Sequence, residues 1–174
     1  MSMRLSLSIF LIFLFSTTSA GVDIKMLRDL LNESSKNGKA AELLFKQTKC
    51  FNEKNEPLLI GFKAMSEFML CNYVSNVFSK LNHFNTGKRL LEESIKKEPK
   101  NPELIYFRFT TQTNVPSLLG YSNNIKEDKV FLINYLKDNF YNTNKDVDLY
   151  NQIKSYLLQC KACNEVGKET IKKL

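Results

Sequence analysis

Histidine occurs once in the 174 residues, glycine six times and proline four times. With His83 alone, no multi-histidine metal site can form. Acid–base or triad chemistry would rest on one imidazole with no supporting motif around it, and its place between Leu81 and Phe84, near an expected helix start, suits packing or capping. The scattered glycines give no phosphate-cradling loop, and neither G-x-x-x-x-G-K nor G-x-S-x-G occurs. So little Gly and Pro also excludes a collagen-like chain, a linker array and a β-sandwich with its frequent turns. After the first twenty residues no run of 18 consecutive apolar residues appears, so nothing beyond them reads as a membrane span. No low-complexity stretch or charge block divides the chain.

Hydrophobic residues make up 43% of the chain and charged ones 25%, enough apolar side chain for one core, and helix is the economical architecture. The N-terminus has the three parts of a signal peptide. Arg4 supplies the positive charge, Leu5 to Phe15 is an apolar run, and Ser16 to Ala20 is small and polar. Thr18 and Ala20 suit cleavage before Gly21, and the run is too short to cross a bilayer. Residues 1–20 are therefore expected to be removed and residues 21–174 to form a single all-helical domain with a net charge of +6. It is expected to be exported, periplasmic or extracellular, with no stable membrane insertion after cleavage.

Helices are read from spacing and punctuation. Gly38 to Phe51 carries Ala40, Ala41, Leu44 and Phe45 on one face. Pro57 suits a first helical position, and Leu58, Phe62, Met65 and Met69 extend that helix to about Asn72. Tyr73 to Leu81 reads as a connection. From Gly87 the clearest amphipathic helix runs to Lys97, with Lys96, Lys97 and Pro99 marking its end. Asn101 and Pro102 then open a helix through Thr111. Val115 to Gly120 is a turn, and Asn124 with Glu127 matches a capping box before a helix to Asn139. Val147, Tyr150, Ile153 and Leu157 define a last helix from about Asp146 to Cys163.

The stretch Gly87–Glu103 resembles the second helix of a tetratricopeptide repeat running into the next unit. Gly87 and Ser94 hold the small positions of the helix crossing, Leu91 the bulky one between them, and Pro99 closes the unit. Counting back one repeat puts the first-helix positions near Cys71, Val74, Ser75 and Phe78. The turn Val115–Tyr121 is similar to one in small exported repeat-like proteins of no assigned activity. The resemblance implies antiparallel helix pairs stacked as a short right-handed array and, as in that family, binding of a protein partner. It carries over no groove residue.

Cys50, Cys71, Cys160 and Cys163 are the remaining chemical candidates. Their even number in an oxidising compartment suggests disulfides of undetermined connectivity. Cys160-Lys-Ala-Cys163 falls at an expected helix C-terminus, where the dipole raises a thiol pKa, whereas redox C-x-x-C motifs sit at helix N-termini. Asn164 stands where haem attachment needs His, and a metal site would need Cys50 and Cys71 as further ligands. Adjacent carboxylates such as Glu92-Glu93 and Glu127-Asp128 read as solvated. The basic balance, pI about 9.2, gives long-range attraction for acidic partners, but export makes nucleic acid an unsuitable one. The sequence thus points to an exported, non-enzymatic helical-repeat module for protein–protein interaction, without cofactor. The alternative is a small thiol redox or metal-handling protein using Cys160 and Cys163. With Leu91 in the core, Leu91→Ala is expected to destabilise the fold by about 2–5 kcal/mol in urea denaturation.

Overall fold

Asparagine and aspartate set most of the helix starts. In the computed structural model, which describes residues 22–174, eight α-helices lie among the described residues and no strand does. The expected signal peptide lies outside the described residues. The helices are α1 (Ile24–Ser34), α2 (Gly38–Thr48), α3 (Pro57–Leu70), α4 (Val77–Lys97), α5 (Pro102–Asn114), α6 (Ile125–Asp138), α7 (Val147–Gln159) and α8 (Glu165–Lys172), with a 3-10 turn at Ser117–Leu119. Side chains of Asp23, Asn37, Asn76, Asn101, Asp146 and Asn164 each accept from a backbone N–H of the first turn that follows, satisfying donors that a helix start leaves free. Pro57 and Pro102 occupy first helical positions, where a missing N–H does no harm.

α3 is apolar around most of its circumference and is the most enclosed helix, with Ile60, Phe62, Ala64, Met65 and Phe68 all buried. It packs against α1, α2, α4 and α5. It crosses antiparallel α4 closely, so that a Cβ on Gly87 would lie 3.0 Å from the Ala64 carbonyl oxygen and 3.1 Å from the Phe68 ring. Leu91 and Ser94, one and two turns on, are fully buried. Each helix also packs on its neighbour in sequence through to α8, and the pairing of α1 with α3 and α3 with α5 makes one layer backed by α2 and α4. Lys63 ties the loop before α3 by donating to the carbonyls of Lys49 and Phe51, and Lys97 does so to Glu53.

One ion pair joins the ends of this arrangement. Arg28 of α1 makes a two-pronged bond to Glu103 of α5, at 2.7 Å on each prong, and reaches Asp146 at the start of α7 at 2.8 Å. The Arg28 and Glu103 side chains are 11% and 3% exposed, a depth at which a paired, two-pronged geometry is required.

Several expectations need correction. The segment Tyr73–Leu81 is not wholly a connection, because α4 starts at Val77, ten residues before Gly87. Its first turns carry Val77 and Phe78 on the outside, so no buried stripe marks them. The helix packed on Gly87 is accordingly α3, through Ala64 and Phe68. Cys71 caps α3, Val74 and Ser75 lie in the connection and Phe78 is exposed, so those four are not first-helix positions. The last expected helix, to Cys163, ends early: α7 stops at Gln159, Cys160 turns extended, and a further, unexpected helix α8 follows. α1 carried no expectation. Asn124 makes no side-chain cap. Gln112 of α5 instead holds Asn124 itself, accepting from its N–H at 3.0 Å and donating to its side chain.

Burial opposes the ionised form of Asp146, but the Leu149 N–H and the Arg28 guanidinium outweigh it and hold its pKa below the ordinary carboxylate value. A lowered folded-state pKa contributes stability that is complete above the unfolded value, near 3.8, and is lost as pH falls through the folded one. Asp146→Asn, which keeps the helix cap, is expected to flatten the loss of stability between about pH 4 and 2 seen in urea titrations of the unsubstituted chain.

Candidate functional site

Helix lengths create the site. α4 has 21 residues and its antiparallel neighbour α5 has 13, so at about 1.5 Å per residue α4 outruns α5 by roughly 12 Å. The uncovered part is the N-terminal end of α4, and α5 stops there at Val115-Pro116. What opens between them is a cleft of about 670 Å³. Its floor is Met65, Phe68 and Met69 of α3, one wall is Val77, Leu81 and Phe84 of α4, and the other is Thr111 and Asn114 of α5 with Val115, Pro116 and Leu119. Val77, Leu81 and Phe84 follow at four and three residues after the Asn76 cap, a spacing that marks one helical face.

Apolar surface continues past the cleft. Val77 is 65% exposed, Phe78 beside it in sequence 82%, and Leu118, next to the lining residue Leu119, 86%. Lys80 lies at the mouth and forms no ion pair among the described residues. The wall of α5 is braced from behind, where the Tyr156 hydroxyl of α7 bonds Thr113 and Asn114 at 2.6 Å each.

Apart from Lys80, charged groups nearby are committed to internal partners. His83 is not at a helix start but inside α4, where its Nδ1 meets Glu67 Oε2 of α3 at 2.6 Å. Asp128 and Glu92 are not the solvated carboxylates expected. Asp128 is buried and holds Arg108 by two bonds at 2.7 and 2.9 Å, while Glu92 bonds both Arg108 and the Tyr121 hydroxyl. Burial, then the Glu92 carboxylate, raises the Tyr121 pKa. No buried side-chain polar atom among the described residues lacks a partner.

The four cysteines do not converge. Cys50 is exposed after α2, Cys71 is half-buried at the end of α3, and Cys160 and Cys163 are buried across the α7–α8 turn. Among the described residues no group of three or more His, Cys, Asp or Glu side chains is placed to hold a metal ion. Cys71 lines the cleft but donates to the carbonyls of Glu67 and Lys80, and burial followed by the Glu67 charge pushes its thiol up to about 11. Burial, then neighbouring Cys160, raises Cys163. Gly87, Leu91 and Ser94 belong to the α3–α4 contact and Pro99 follows the end of α4; none of these four lines the cleft.

Comparison with protein-family models, curated proteins and solved structures returns no match. No helix among the described residues is long and apolar enough to cross a membrane.

With its pKa near 11, Cys71 carries the thiolate in roughly one molecule per thousand at pH 8. Iodoacetamide followed by peptide mass spectrometry is expected to label exposed Cys50 about tenfold or more faster than Cys71, with buried Cys160 and Cys163 labelled slowly until denaturation exposes them.

Proposed function

We propose that the chain is a non-enzymatic helical binding module, exported by its first twenty residues, whose cleft between α3, α4 and α5 takes the apolar face of a partner polypeptide helix. The observation carrying this reading is the apolar surface beyond the cleft. A small molecule filling the cleft would leave Phe78 and Leu118 in water, whereas a helix laid across the mouth would cover them with side chains at i, i+3 or i+4, and i+7. The volume, about 670 Å³, is that of a binding site rather than a packing defect. Lys80 and the net charge of +6 over residues 21–174 favour acidic residues flanking the partner's apolar face. The stacked helix pairs accord with the tetratricopeptide-like pattern of Gly87–Pro99, a family that binds peptides and proteins.

Selection of a random peptide library on the full chain tests this. Enrichment of peptides with apolar residues at helical spacing beside Asp or Glu is expected. Leu81→Asp is expected to weaken a selected peptide by about tenfold or more, while Val130→Asp, at an exposed position on α6, leaves its affinity unchanged. Equal binding to both variants, or no enrichment, overturns the assignment.

A further inference from the structure

Four cysteines allow three complete pairings, and the sequence cannot choose among them. The backbone does. Cys160 ends α7 in an extended conformation, and the Cys163 N–H returns to the Cys160 carbonyl at 3.2 Å. A turn closed by an i to i+3 bond brings its end Cα atoms within about 7 Å, and disulfides span about 4.4–6.8 Å between Cα atoms. The turn is held from the side by Lys129 of α6, which donates to the Ala162 carbonyl at 2.9 Å, and α8 starts directly afterwards with Asn164 as its cap.

The other two cysteines are kept apart. Cys50 follows the C-terminus of α2. Cys71 lies toward the other end of that helix, because Tyr73, two residues on, packs its ring against Gly38 at the start of α2. Eleven helical residues at about 1.5 Å each separate those ends by roughly 16 Å, more than twice what a disulfide spans.

We infer that Cys160 and Cys163 are a modification site, closing to an intramolecular disulfide by exchange with a low-molecular-weight disulfide and fastening the start of α8 to the end of α7, while Cys50 and Cys71 stay unlinked to each other. The thiolate of one cysteine attacks the small disulfide and expels one thiolate. The second cysteine, after losing its proton, attacks the mixed disulfide and expels the other. Two protein thiols and one small disulfide thus become one protein disulfide and two small thiols. Burial of both thiols, and the raised pKa of Cys163, make this a slow structural closure and not a rapid catalytic exchange. The anchorage it would reinforce is slender: α8 has eight residues, its one fully buried side chain is Ile171, and its end is held where the Tyr150 hydroxyl donates to the Leu174 carbonyl.

The test uses the full chain, reduced, desalted, and incubated with oxidised glutathione until its mass stops changing. It is then denatured, alkylated and digested with trypsin. Cleavage after Lys161 falls inside the motif, so the expected disulfide joins two peptides, Ser155–Lys161 and Ala162–Lys168. Cys50 and Cys71 are expected to end up alkylated or singly glutathionylated. Hydrogen exchange in α8 is expected to slow on oxidation, and Cys163→Ser is expected to trap one glutathione on Cys160. Four alkylated thiols, a Cys50–Cys71 peptide, or stable glutathione adducts on Cys160 and Cys163 of the unsubstituted chain overturns the inference.

Discussion

A helix with apolar side chains on nearly every side has to be wrapped, and α3 imposes that requirement on this molecule. α1, α2, α4 and α5 all lie against it, and small residues let them approach. Gly87 lets α4 lie against the Ala64 backbone, and Gly61 leaves room for Leu104 of α5. Burial of apolar surface drives this arrangement at roughly 25 cal/mol per Å², and the close contacts select one packing from the many that would bury similar area. The cleft follows from the same requirement. The wrapping helices differ in length, so the cover over α3 ends early on the side where α5 stops.

The buried charges have a different role. Arg28 and Arg108 each gather two carboxylates, Arg28 from α5 and the start of α7 and Arg108 from the flanking α4 and α6, and neither network opens on the cleft. Such pairs add little net stability over apolar replacements, but breaking one partner is costly because a charge is left buried alone. They therefore fix which helix faces meet. The cleft lies apart from both networks and is lined largely by apolar atoms.

Much of the helical frame was legible from local signals. Pro57, Asn101 with Pro102, and Lys96-Lys97 with Pro99 mark boundaries through backbone chemistry that does not depend on tertiary context, and the all-helical class follows from them. α8 was hidden because the break after Gln159 uses no glycine or proline, only an extended Cys160 and an Asn cap four residues later. Asp128 looked solvated because its partner, Arg108, sits on another helix. The cleft was illegible for a related reason. Val77, Leu81 and Phe84 have helical spacing, but whether that face is covered depends on where α5 ends, a relation among three elements that no single segment states.

The Arg28 bond to Glu103 spans 75 positions in the chain, while most other contacts join neighbouring helices. Neighbour-on-neighbour packing assembles quickly, since each loop to be closed is short. The Arg28 bond cannot form until α5 and the start of α7 are in place. Because synthesis runs from the N-terminus, α1 is the first of these helices to be made and the last to be locked. Until then it is held by its contacts with α2 and α3 and by the Tyr73 hydroxyl, which donates to the Ser34 carbonyl. The N-terminal helix thus depends for its last bond on residues made 75 positions later.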